Sequence, residues 1–267
     1  MLQDMPVLQL STSDDPRLAP YRELKDRTLA ARHGLFVAEG EHLLTRLLAS
    51  DFSVASVLMA DRRADELVPL VPADVDVFVL PQEQLNAIVG FRFHSGVVAM
   101  GVRKPPAVLE DVLRGDAATI KLVVCPDLIS AENLGSMIRL SAGFGADAMI
   151  VGPRSIDPFV RQAVRVSMGT IFKLPIVQSP DLAKDLSLLK TQWGVHRIAT
   201  VLSDQATPLP ASPRHDRVAL MFGNEAQGLD AEALSLCDER VTIPMRLGTD
   251  SLNVAIAAGI FMYHYWQ

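Results

Sequence analysis

Short apolar runs recur along the chain, separated by stretches whose apolar residues return at helical spacing. In the first hundred residues LFVA (35–38), VASVLMA (54–60), VDVFVL (75–80) and GVVAMGV (96–102) predict strands. EGEHLLTRLLAS (39–50) predicts a helix with Leu43, Leu44, Leu47 and Leu48 on one face. Arg103-Lys104-Pro105-Pro106 then breaks the pattern, because tandem prolines remove two backbone donors and restrict the residues before them. This predicts a small α/β domain over 1–103, a linker over 104–111 and a second domain over 112–267. In the second domain KLVVC (121–125), AMIVG (148–152), LPIV (174–177), HRIATVL (196–202), RVALMFG (217–223) and RVTIP (240–244) predict strands, with helical stretches between most of them. Their hydrophobicity is continuous rather than alternating, which predicts strands buried on both faces and so a largely parallel sheet. Ligands of such sheets bind beyond the strand carboxyl ends, so the residues just after strands carry the most information.

Composition narrows the class. Of the 267 residues 49% are hydrophobic and 21% charged, a balance that excludes disorder and coiled coil. The two cysteines, Cys125 and Cys237, fit no disulfide framework or zinc cluster, and no histidine spacing matches a metal motif, so no metal is expected and a reducing cytoplasm is the expected home. The N-terminus lacks a secretory pattern, and the longest apolar stretch, Val254–Trp266, is broken by His264 and too short to span a bilayer, so no membrane partner is expected. A net charge of −6 argues against nucleic acid. Two local clusters argue the other way: Arg17, Arg22, Lys25, Arg27 and Arg32, and a later group that includes Arg139, Arg154, Arg161 and Arg165. Such stretches are more often ordinary solvated helix faces, and they permit an RNA-binding surface without establishing one. Gly143-Phe144-Gly145-Ala146-Asp147-Ala148 spells a dinucleotide fingerprint, but it precedes a strand instead of following one, so it reads as a helix end and turn.

Three segments carry candidate chemistry. In Asn133-Leu134-Gly135-Ser136-Met137-Ile138-Arg139, Asn133 is expected to open a helix whose first turn suits an anion, with Arg139 projecting near the same side; an N-cap plus a surface Arg is the plainer alternative. In Met221-Phe222-Gly223-Asn224-Glu225-Ala226-Gln227-Gly228, a buried strand runs into Gly223, which permits close backbone approach, and Glu225 stands at the ligand edge; a capped turn is the alternative. In Ile243-Pro244-Met245 and Ser251-Leu252-Asn253-Val254-Ala255, Ser251 is expected to cap a helix apolar nearly all round, with Asn253 a buried polar group inside it.

In order and spacing these three segments resemble the SpoU/TrmH family of RNA 2′-O-ribose methyltransferases, of the SPOUT superfamily. FVAEGEHLL, FRFHSGVVA and DPFVRQAVRVSMGTIFKLP extend the resemblance over nearly the whole chain. It implies a C-terminal parallel sheet with a deep trefoil knot, which periodicity alone could not supply, preceded by a small α/β RNA-binding domain. It implies S-adenosyl-L-methionine held by backbone groups at Gly223, Ile243 and Leu252, and a homodimer that gives the terminal helix a partner. Arg139 matches the family's catalytic Arg, and Asn133, Glu225, Ser251 and Asn253 match its polar ring. A guanidinium is a poor base, so Arg139 is expected to stabilise the developing alkoxide and hold the neighbouring phosphate. Structured RNA, ribosomal RNA foremost, is the implied substrate, and the two basic clusters are candidate contacts. Ala255 stands where many relatives have Ser. The alternatives are a tRNA 2′-O-methyltransferase and a non-catalytic RNA-binding or ribosome-assembly protein of the same fold.

Overall fold

The computed structural model describes residues 7–9, 14–22, 24, 33–113, 117–247 and 251–267. The chain divides into two compact units, Met1–Lys104 with Phe159–Phe172, and Pro105–Pro158 with Lys173–Gln267.

The first unit holds a five-stranded sheet of β1 (Val7–Gln9), β2 (Leu35–Glu39), β3 (Val54–Ala60), β4 (Asp76–Leu80) and β5 (Val97–Val102), in the order β1-β4-β3-β5-β2. β1, β4 and β3 run parallel, while β5 is antiparallel to both β3 and β2. The helix Glu41–Leu48 buries Leu43, Leu44 and Leu47, and the helix Gln82–Val89 buries Leu85, Ile88 and Val89. The sequence reading assigned residues 159–172 to the second domain, whereas here they join the first unit. The cause is aromatic packing. Phe159 and Phe172 surround the Phe36 ring at centroid distances of 5.1 and 5.5 Å, and Phe52 closes the group. Arg161 also pairs with Glu39 at 2.6 Å.

The second unit is built on seven parallel strands: β6 (Ile120–Cys125), β7 (Ala148–Val151), β8 (Ile176–Gln178), β9 (His196–Thr200), β10 (Thr207–Pro208), β11 (Arg217–Met221) and β12 (Glu239–Thr242). Their order is β10-β12-β9-β11-β6-β7-β8. β7 is wholly buried and β11 nearly so, as uninterrupted apolar runs require when both faces are covered. β11 is inserted between β9 and β6, so the chain departs from β6 in one direction first and returns on its other side. Such a reversal opens a crevice at the carboxyl ends. The helices Ala131–Gly143, Leu182–Trp193 and Val254–Trp266 belong to this unit, and the first and last of them pack together. The stretch that spells a dinucleotide fingerprint ends the helix 131–143, with Gly145 at φ +75° leading into β7. Among the described residues no helix is long and apolar enough to cross a membrane.

Candidate active site

Because all seven strands point the same way, the segments after β6, β11 and β12 emerge at one edge of the sheet. After β6, Ser130 caps the helix 131–143 by accepting the Asn133 backbone N–H at 3.3 Å. Asn133 therefore lies in the first turn instead of opening the helix, and its side chain is free to bridge. After β11, Asn224 organises the loop. Its Oδ1 accepts the N–H groups of Ala226 and Gln227 (2.9 and 3.2 Å), and its Nδ2 donates to the Asp127 carbonyl at 3.1 Å. The backbones of Asn224 and Gly228 exchange two hydrogen bonds of 2.9 Å, with Gly228 at φ +71°. Gly223 sits under this turn so closely that a Cβ would collide with the Gly228 carbonyl carbon and the Leu229 nitrogen. After β12, Asn253 precedes the terminal helix.

These three segments are joined by one hydrogen-bond chain. Glu225 Oε1 accepts the Ser130 N–H and the Asn133 Nδ2, both at 3.0 Å, and Oε2 accepts the Ile129 N–H at 3.4 Å. Asn133 Oδ1 then accepts Asn253 Nδ2 at 3.0 Å. The anion expected at the start of helix 131–143 is thus supplied by the protein's own Glu225 carboxylate, which suits the positive end of that helix. Burial alone would push the Glu225 carboxyl up, but the Asn133 amide and the surrounding N–H groups outweigh it and hold the carboxyl below its ordinary value.

The chain of bonds runs along the wall of an open cleft of about 770 Å³, lined among others by Asn133, Gly223, Glu225, Ile243, Ser251, Leu252 and Asn253. All six expected polar and backbone positions of the last two segments meet there with Asn133. Arg139 does not line it. Six residues along a helix is a rotation of roughly 600°, about 120° away from Asn133, and Arg139 is exposed with no hydrogen bond or ion pair to a described residue. Ser251 is not the cap of the terminal helix. Asn253 takes that position, with Oδ1 accepting from Ala255 and Ile256 at 2.9 and 3.4 Å, and it is exposed at the cleft rim instead of buried within the helix.

The basic candidates are placed elsewhere. Arg17 pairs with Asp15 at 2.7 Å, and Arg22 donates to the Asp15 carbonyl. Arg154 bridges Asp230 and Asp127 (2.6 and 3.4 Å), Arg161 holds Glu39, and Arg165 is exposed with a hydrogen bond to Gln162. Lys25, Arg27 and Arg32 lie outside the described residues. Sequence reasoning missed Ser130, Thr200, Ser203 and Arg240. Ser130 carried a signal, a Ser three residues before Asn133 at a helix start, whereas the other three line the cleft without any motif.

The sequence model of the SpoU rRNA Methylase family matches residues 121–263. The chain belongs to the SpoU rRNA methylase family. It is 37% identical to an uncharacterized tRNA/rRNA methyltransferase of Mycobacterium tuberculosis, over 96% of this chain and 91% of the relative. It is 28% identical to the 23S rRNA (guanosine(2553)-2′-O)-methyltransferase RlmP of Bacillus subtilis, over 96% and 98% of the two chains. Among solved structures, the AdoMet-bound rRNA methyltransferase from Sinorhizobium meliloti superimposes with a TM-score of 0.85 at 23% identity, covering 97% of each chain, and so shares this SpoU fold. The family match covers most of the second unit together with residues 159–172 of the first, and contains all three segments of the cleft. The matches to the two relatives extend across the first unit as well.

Proposed function

We propose that this SpoU family member transfers the methyl group of S-adenosyl-L-methionine to a ribose 2′-OH of structured RNA, ribosomal RNA foremost, and works as a homodimer. The observation that carries the reading is the Glu225–Asn133–Asn253 chain, which gathers one residue from each of three separate segments onto the wall of one cleft. A relative named for 23S rRNA guanosine 2′-O-methylation and a neighbour described as AdoMet-bound support it.

The cleft suits the donor. Its volume falls in the range of small-molecule sites, and its wall combines apolar side chains (Leu202, Phe222, Leu229, Ile243, Leu252) with loop backbone. At Gly223 the turn leaves no room for a Cβ, so the cradle depends on glycine. Gly223, Ile243 and Leu252 would hold the donor, which supplies an already activated sulfonium methyl group. Glu225, Asn133 and Asn253 fix the rim, and Ser251 offers a hydroxyl to the ribose. The task left to the protein is to orient the 2′-OH and favour its oxyanion.

Arg139 takes that electrostatic role and holds the adjacent phosphate. It stands on the outward side of helix 131–143, one residue from Leu140, the nearest side chain to Gly259 of the terminal helix. That helix exposes Ile256 (58%), Ile260 (40%) and Tyr263 (66%), an apolar face that a second copy would cover. Arg139 then borders the interface, positioned to serve the second copy's cleft. The first unit is the RNA-binding domain in this reading, with Arg17, Arg22 and Arg165, and also Lys25, Arg27 and Arg32, as phosphate contacts. Arg154 and Arg161 would exchange their carboxylate partners for phosphate.

The test is transfer of labelled methyl from S-adenosyl-L-methionine to ribosomal RNA, with alkaline-resistant positions mapped. Arg139→Ala should lose roughly 100- to 1,000-fold in turnover while donor affinity is retained. Undiminished turnover removes Arg139 from the mechanism. Donor binding without methylation of any RNA favours the non-catalytic RNA-binding reading.

A further inference from the structure

The opposite end of the seven-stranded sheet, where the strands begin, holds a cluster that the cleft does not use. His196 is the first residue of β9, Glu239 the first of β12, and His215 lies two residues before β11. The two imidazole rings stack at 3.9 Å between centroids, 22° from parallel. Their Nε2 atoms face one oxygen, Glu239 Oε2, at 3.5 and 3.9 Å. Both Nε2 atoms are buried without a hydrogen-bond partner.

Hydrogen bonding does not account for this arrangement, and a protonated ring would make only an ion pair with the carboxylate at 3.5 or 3.9 Å. A neutral ring with a bare Nε2 turns a lone pair toward a carboxylate, which is repulsive. A ring with Nε2–H aims a donor at an oxygen too distant for a hydrogen bond. Buried polar atoms are otherwise almost always partnered. A cation among the three atoms satisfies all of them at once. Donors bound to one ion at roughly 2.0–2.1 Å in tetrahedral array stand roughly 3.3–3.5 Å apart; here the carboxylate oxygen lies 3.5 and 3.9 Å from the two nitrogens, and all three atoms lie within 4.8 Å of one another.

We propose that His196, His215 and Glu239 form a binding site for a divalent transition-metal ion of the zinc class, at the end of the sheet opposite the cleft. Two imidazoles and one carboxylate are a donor set that suits zinc, cobalt or nickel, while magnesium and calcium prefer oxygen alone. The site has its supporting contacts. Ser212 Oγ donates to Glu239 Oε1 at 2.8 Å, which leaves Oε2 for the ion, and Tyr265 donates in turn to Ser212 at 2.6 Å. The three side chains keep 18–29% of their surface exposed, so the cluster lies near solvent and the turn of one ring would open its covered nitrogens to an ion. Binding requires one ring to turn about χ2 so that the two lone pairs converge. The ion would tie β9, β11 and β12 together and, through Ser212 and Tyr265, reach the terminal helix. The residues stand far apart in sequence on separate strands, so no spacing motif announces them.

The test uses the full chain, stripped with a chelator and titrated with Zn²⁺ against a chromophoric competitor. One zinc per chain is expected, with affinity about 100-fold weaker in His196→Ala and in His215→Ala. Zinc should raise the melting temperature of the parent chain by several degrees and leave both variants unchanged. Cobalt should give tetrahedral or five-coordinate ligand-field bands without thiolate charge transfer, which separates this site from Cys237. Circular dichroism of the metal-free variants checks that they fold, and S-adenosyl-L-methionine binding, read separately, is expected to persist. Absence of stoichiometric zinc in the parent chain overturns the proposal, as does equal zinc binding by the His215→Ala chain.

Discussion

Both sheets of this chain gather polar residues beyond the carboxyl ends of their parallel strands, and they differ in what those residues then do. In the seven-stranded sheet every strand runs the same way, so the loops after β6, β11 and β12 are delivered to one edge and Asn133, Glu225 and Asn253 bond to one another. In the five-stranded sheet β5 alone runs against the other four strands, so the segments after β2, β3 and β4 also emerge at one edge. There Arg63 pairs with Glu41 at 2.6 Å and Arg62 donates to Gln82 at 3.0 Å, while Arg161 pairs with Glu39 at 2.6 Å. In the seven-stranded sheet the gathered residues line the cleft; in the five-stranded sheet they close on one another.

Mutations can break this contrast. The largest effect is expected for Gly223→Ala, whose Cβ has to displace backbone at Gly228 and Leu229. Titration calorimetry should detect no S-adenosyl-L-methionine binding, and retained binding would separate the turn from the cleft. Phe36→Ala empties the middle of the Phe52–Phe159–Phe172 group in the first unit and should cost about 3–5 kcal/mol in chemical denaturation. Donor affinity should hold in that variant at temperatures where the chain stays folded, since none of those rings lines the cleft.

Smaller effects sharpen the picture of the rim. Because Glu225 is held below its ordinary value, its contribution is complete above the usual carboxyl range near 4.3 and fades as pH falls through the depressed folded value. Donor affinity should therefore decline on acidification through that depressed value. Glu225→Gln should weaken binding by about 1 kcal/mol at neutral pH, a figure kept low by exposure, and should flatten that decline. Asn253→Ala removes a helix cap and should cost about 1 kcal/mol of stability, measured by denaturation, with Asn133 then losing its donor.

Much of this was legible beforehand, for identifiable reasons. Ten of the strands announce themselves as apolar runs, and the three segments of the cleft are recognisable because glycine, asparagine and a carboxylate follow buried strands at the edge where parallel sheets bind ligands. The two strands without a signal, Val7–Gln9 and Thr207–Pro208, are too short for any periodicity. The allegiance of residues 159–172 is set by ring packing between positions more than a hundred residues apart, which local pattern does not encode. Helix phase misled at two points. The cap lies at Ser130 and not at Asn133, and at Asn253 and not at Ser251, because several polar residues precede each helix and only geometry selects among them. The meeting of His196, His215 and Glu239 was likewise invisible, since register between strands, and not sequence spacing, brings them together.

The side-chain amide of Asn253 works in two directions. Its oxygen closes the open N–H groups of Ala255 and Ile256, while its nitrogen grips Asn133 across the cleft wall. Fraying of the last helix and loosening of the rim are therefore one event rather than two. The exchange of those two backbone protons with solvent becomes a built-in gauge of whether the pocket is assembled, readable without any substrate present.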